Sequence, residues 1–117
     1  MTDRSIVFLK KKDPLRGKTR EEIIQEFRSR LSGRVENAYF FGGFAENRMR
    51  DRSDIDIMIV KETDTPFTMR MREFDDLWTI TPAIDLLVYT PDEFRSLTED
   101  PAPGFWREVT RTMIRFL

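Results

Sequence analysis

The chain has 117 residues, 39% of them apolar and 35% charged, with a formal net charge of −1. That length supports one domain, 1–117, with a core of its own and is too short for two. It contains neither cysteine nor histidine, so disulfides, thiolate or imidazole metal sites and a histidine base are excluded. A bound metal must take oxygen ligands, and a general base must be a carboxylate, lysine or tyrosine.

No apolar run approaches the roughly 18 residues of a membrane span, and the N-terminus lacks a signal peptide's apolar stretch, so a cytoplasmic protein without membrane contact is expected. Charge is unevenly placed. Residues 1–20 hold seven basic and two acidic side chains, whereas 54–100 hold twelve acidic and four basic. Residues 1–18 therefore read as a basic arm, either simply solvated or touching phosphates or an acidic partner. The overall balance argues against general nucleic-acid binding, whose signature would be a steep salt dependence.

Residues 6–9 (Ile-Val-Phe-Leu) form a short apolar run, suited to an edge strand, that Lys10-Lys11-Lys12-Asp13-Pro14 stops. Gly17-Lys18-Thr19 imitates the end of a phosphate-binding P-loop. The glycine needed five positions earlier is Lys12, so that reading is rejected. Thr19 and Glu22 form a capping box that opens a helix with Ile23, Ile24, Phe27 and Leu31 on one face, closed by Gly33. Residues 35–41 read as a strand, broken by Gly42-Gly43. A helical turn is expected over 44–47 and a charged loop over 48–52.

Residues 55–60 read as a strand apolar on both faces beyond Asp56, hence a central strand covered from both sides. After a loop over 61–66, residues 67–78 are expected to be helical, with Phe67, Met71, Phe74, Leu77 and Trp78 on one face. Residues 84–89 form a third apolar run. Thr90-Pro91-Asp92-Glu93 is a second capping box with proline at the first helical position. A hinge at 100–104 leads into an amphipathic helix over 104–117, expected to bury Phe105, Trp106, Val109, Met113 and Leu117. Its apolar face suits the protein's own core or a partner surface.

Chemistry concentrates where these runs begin and end. Asp54 and Asp56, two apart on a strand, point to one side with Cα atoms roughly 6–7 Å apart. Carboxylates that close repel unless a cation lies between them, and magnesium favours such oxygen ligands and takes others from substrate phosphates. Asp85 opens the third apolar run as Asp54 and Asp56 open the second. If those strands are neighbours, three carboxylates converge, enough for one or two metal ions in phosphoryl transfer. Gly42-Gly43 would let the backbone approach an anion and aim amide N–H groups at it. An ordinary turn and a surface acid pair are the plainer alternatives for either motif alone. An EF-hand is excluded, because the third ligand and the glycine of that loop are missing.

Together, Phe41-Gly42-Gly43, ten intervening residues, Asp54-Ile55-Asp56-Ile57 and the later Asp85 resemble the minimal nucleotidyltransferase group of the DNA polymerase beta-like superfamily. Ser53, and Tyr89-Thr90-Pro91-Asp92-Glu93-Phe94 after the third run, are also similar to these small proteins. The resemblance covers roughly 35–94. It implies an α/β (α+β) nucleotidyltransferase fold, a small mixed β-sheet with helices packed on it. It further implies transfer of a nucleoside monophosphate, AMP above all, from ATP or another nucleoside triphosphate to a hydroxyl. Asp54, Asp56 and Asp85 would be catalytic and would ligate Mg2+ (or Mn2+), with Asp85 helping to deprotonate the acceptor. Gly42, Gly43 and Ser53 would bind the nucleotide.

Two departures stand out: glycine rather than serine at 43, and Glu46-Asn47 where many members have Arg-Gly. Arg48, Arg50 or Arg52 would be the candidates to restore the missing positive charge. Small members often pair with a helical HEPN protein as its antitoxin, so the resemblance implies a protein acceptor, or else a second copy of the chain in a homodimer. The alternative is a catalytically weak module of the same fold that neutralises a partner by masking it.

Overall fold

The computed structural model describes residues 15–48 and 54–117. The run at 6–9, most of the basic arm, Arg50, Arg52 and Ser53 lie outside them. Helix α1 (Arg20–Leu31) begins at the expected capping box: the Thr19 hydroxyl accepts from the Glu22 amide at 3.1 Å, and the Glu22 carboxylate accepts from the Thr19 amide at 2.8 Å. These bonds satisfy amides that the helix itself leaves unpaired. The 3.6-residue spacing then puts Ile23, Phe27 and Leu31 on one fully buried stripe.

Four strands form one mixed sheet: β1 (Asn37–Phe41), β2 (Ile55–Val60), β3 (Ile84–Tyr89) and β4 (Ile114–Arg115), in the order β3-β2-β1-β4. β1 is antiparallel to β2 and β4, and β2 is parallel to β3. β2 is central, and Ile55, Ile57, Met58, Ile59 and Val60 are all buried. This is the result of apolar side chains pointing both ways from one strand.

Each sheet face has its own core. On one, α1 delivers Phe27 edge-to-face onto Phe40, 5.9 Å between centroids, beside Ile57, Phe74 and Leu86. On the other, Phe41, Met58 and Val109 pack with Tyr39, Leu87 and Trp106. Gly42–Ala45 makes a single helical turn, α2, directly after β1. Helices α3 (Pro91–Glu99) and α4 (Phe105–Thr112) lie on the second face, where Phe94 stacks on Tyr39 at 5.1 Å. No described helix is long and apolar enough to cross a membrane.

Two expectations need correction. The crossover between the parallel strands, Phe67–Thr79, is a 3-10 helix broken at Phe74, and it buries Arg70, Phe74 and Leu77. Phe67 and Met71 are exposed. Arg70 explains the shift of face: its guanidinium donates to Thr65 O, Val88 O and both carboxylate oxygens of Glu93, joining loop, β3 and α3 at one point. A buried arginine is tolerated because its donors are satisfied in this way.

The C-terminal helix does not run from 104 to 117. It ends at Thr112, Met113 is extended, and the chain continues as β4. Without β4 the outer edge of β1 would be an open row of backbone groups. The pairing goes on past β4, with Phe116 N donating to Ala38 O at 2.9 Å and Ala38 N to Leu117 O at 3.0 Å. Phe116 is buried against Phe40, whereas Phe105, expected in the core, is exposed.

Candidate active site

The sheet brings three separated segments to one end. In the parallel pair Asp56 is in register with Asp85, and in the antiparallel pair Asp56 is opposite Phe41. Residues in register share a face, so the Asp56 and Asp85 side chains stand side by side. Asp54 immediately precedes β2, and its charge is felt at Asp56. The glycine turn follows Phe41 and therefore caps this acidic end.

Asp56 is half-buried, while Asp54 and Asp85 are exposed. Burial above all, then the charge of Asp85 and that of Asp54, pushes the Asp56 carboxyl up from its ordinary 3.8 to about 6. The cost of a buried charge comes first, and the like charges of Asp85 and Asp54 add to it; a cation bound there would offset both. The donor set is all oxygen and suits magnesium or manganese. Among the described residues no three acidic side chains are drawn together tightly enough to enclose an ion.

Gly42 has a strict structural role. Its φ is +67°, and a Cβ there would come within 2.6 Å of Asp56 Oδ2. Only glycine allows both the left-handed turn and the approach of Asp56. The Gly42 amide is not free for a phosphate: it donates to Thr112 Oγ1 at 3.0 Å. Gly43 is different. Its φ is not left-handed, and a Cβ would sit 3.7 Å from the nearest atom, Arg48 O.

The unusual Glu46-Asn47 pair has a local explanation. Asn47 takes φ +58°, a conformation that glycine and asparagine accept most readily. Glu46 pairs with Arg48 and, at 3.0 Å, with Arg111 of α4. These two arginines, Arg48 first, hold the Glu46 carboxyl below its usual range. Arg48 and Arg111 both pair with Glu46, and Arg111 pairs with Glu108 as well, so the charges of these four groups balance.

Three further residues hold the turn, and pattern reading did not single them out. Arg20 donates to Phe44 O at 2.8 Å and Ala45 O at 3.1 Å, gripping the end of α2 from α1. Thr112 and Arg111 grip it from α4. The only hint of Thr112 was a hydroxyl on the otherwise apolar stripe of an amphipathic helix. A groove of about 500 Å³ lined by Phe67, Tyr89, Glu93 and Leu97 lies elsewhere. Tyr89 is four residues along β3 from Asp85, roughly 13 Å away, so this groove is not the acidic site.

A small mixed sheet with a glycine turn and acidic strand starts at one end defines the class: a domain of nucleotidyltransferase fold. Residues 21–111 match the family profile described as polymerase beta, nucleotidyltransferase. The chain belongs to that family. It is also similar to a presumed nucleotidyltransferase from Sulfolobus solfataricus, solved at 1.40 Å, with 28% identity over 65% of this chain and 68% of that one and a TM-score of 0.46. No curated protein matches the chain.

Proposed function

We propose that the protein is a magnesium-dependent nucleotidyltransferase that moves a nucleoside monophosphate, with AMP the leading candidate, from a nucleoside triphosphate to a hydroxyl. The observation that carries this reading is the register of Asp56 with Asp85 beside Asp54 and the glycine turn. Asp54 and Asp56 would hold the ion, with Asp85 joining them. A bound Mg2+ or Mn2+ would supply charge neutralisation to the triphosphate.

The chain's own part is positional and acid–base. Asp85, exposed at the strand start, accepts the proton of the acceptor hydroxyl. The acceptor oxygen bonds to the α-phosphorus, the bond from that phosphorus to the bridging oxygen breaks, and pyrophosphate leaves. The Gly43 amide and Ser53 are the nucleotide contacts proposed for the phosphate side. Gly42 serves by making room for Asp56. The proposed acceptor is a helical HEPN-type partner, with this protein as its antitoxin in the cytoplasm. That assignment follows from the resemblance to small family members.

One observation favours a second reading, a masking module with little catalysis: the Gly42 amide is engaged by Thr112, and a carboxylate, Glu46, lies in the turn. Labelled ATP, magnesium and the product of the neighbouring gene, with an Asp54→Ala/Asp56→Ala control, separate the two. Label on the partner that disappears in the control supports the enzyme. Neutralisation of the partner by both proteins without label transfer refutes it.

A further inference from the structure

We infer that Phe105 is a stacking platform for the nucleobase of the bound nucleoside triphosphate; the inference rests on the nucleotide site proposed above. Phe105 is 54% exposed, the highest value among the large apolar side chains of the described residues that lie open to solvent. It opens α4, directly after Gly104, whose φ of +92° turns the chain sharply into the helix. An aromatic ring with half its surface in water forgoes most of the stabilisation that burial provides. Its position gives that exposure a use.

The ring is held although it is exposed. Phe105 stands edge-to-face on Phe41, at 6.1 Å and 87°, and perpendicular to Trp106 at 5.4 Å. Phe41 is the residue opposite Asp56 in the sheet and the last before the glycine turn. Seven residues along the same helix, Thr112 holds the Gly42 amide. Residues seven apart share a helical stripe, so α4 is tied to the β1 end and its glycine turn at two points, with Phe105 at one of them. Phe105 is thus one ring contact away from the residue that pairs with Asp56. With the phosphates of a nucleotide at the carboxylates, the proposal puts its base on the exposed part of Phe105.

The occupant is a flat heteroaromatic ring and not a generic apolar surface. Phe105 packs on Phe41, whose strand partner is Asp56, and a partner's apolar surface docked there would approach charged carboxylates that are costly to desolvate. A nucleotide brings a stacking base and phosphates that, with their cation, satisfy the acids. Base–aromatic stacking is sequence-tolerant, because every base has a π face.

The test measures binding, not turnover. The full-length protein is titrated calorimetrically with Mg-ATP and with Mg-tripolyphosphate, which has the phosphates and no base. Phe105→Ala should weaken ATP about ten- to a hundredfold and leave tripolyphosphate unchanged. Phe105→Trp should retain ATP affinity, and Phe105→Leu, apolar but not flat, should resemble alanine. Equal ATP affinity in wild type and Phe105→Ala, or full affinity in the leucine variant, overturns the platform and leaves the nucleotide site standing. Failure of the wild type to bind either ligand overturns both. Trp106, perpendicular to Phe105, gives an independent signal in a Trp78→Phe background, where its emission should change on addition of ATP and not of tripolyphosphate.

Discussion

Replacing Asp56 by asparagine should make the metal-free protein more stable while removing its proposed activity. The Asp56 carboxyl lies at about 6 in the folded protein against an ordinary 3.8, raised by burial, then by Asp85 and Asp54. The folded state therefore holds this proton more tightly than the unfolded state does. The stabilisation associated with it is complete below 3.8 and is lost as pH rises through about 6. Each pH unit between those values is about 1.4 kcal/mol, so ionised Asp56 opposes folding by at most about 3 kcal/mol at neutral pH. Solvent screening of a half-buried carboxylate reduces that to about 1–2 kcal/mol.

The Asp56→Asn substitution keeps the shape of the side chain and removes its charge. Thermal unfolding in EDTA at pH 7.5 should show the variant melting roughly 5–10 °C above wild type. At pH 3.5, where Asp56 is protonated in the folded state and mostly so in the unfolded one, the difference should nearly vanish. Magnesium should raise the wild-type midpoint at pH 7.5, because a cation between the carboxylates does what the substitution does, and should have little effect on the variant. A variant no more stable than wild type at pH 7.5, or one whose advantage is equally large at pH 3.5, would refute the argument that burying a charged Asp56 beside two other carboxylates burdens this site.

Other outcomes follow from the same turn and its supports. Gly42→Ala should destabilise by about 2–3 kcal/mol, from the left-handed backbone and the clash with Asp56, read as a lower urea midpoint at unchanged m-value. Gly43→Ser should be nearly neutral in the same assay, since a Cβ meets nothing closer than 3.7 Å, and its hydroxyl should tighten Mg-ATP binding severalfold by calorimetry. Glu93→Gln should destabilise by about 1–2 kcal/mol, because it leaves the Arg70 charge buried with a weaker partner, discounted for the open side of Glu93. Arg70, first among the causes, holds the Glu93 carboxyl down at about 2 against its ordinary 4.5. The stabilisation it contributes is present above 4.5 and fades as pH falls toward 2, so wild type and Glu93→Gln should converge in stability at acid pH.

Sequence alone determined a great deal. Both capping boxes form as read, because Thr19–Glu22 and Thr90–Glu93 bond within four residues of chain and need nothing from the rest of the fold. The central strand was legible because an unbroken apolar run is buried only when both faces of a sheet are covered. Cysteine and histidine could be excluded from any chemistry by counting. The acidic and glycine motifs were visible as patterns with a fixed gap. Whether Asp85 lies beside Asp56 was not visible, since that depends on strand order and register across the crossover.

Tertiary structure decided the remainder. The C-terminus leaves its helix at Thr112 because β1, far earlier in the chain, has an open edge, and no local propensity reports that vacancy. Phe74 and Leu77 are buried with Arg70 rather than Phe67 and Met71, because Glu93, Thr65 and Val88 converge on one guanidinium. The glycine turn is held by Arg20 from one end of the chain and Thr112 from the other, which is why the Gly42 amide is engaged. Local hydrogen bonds and hydrophobic period are written in neighbouring residues; the partners of a buried charge, a strand edge or a turn amide are set by which distant segments the sheet brings together.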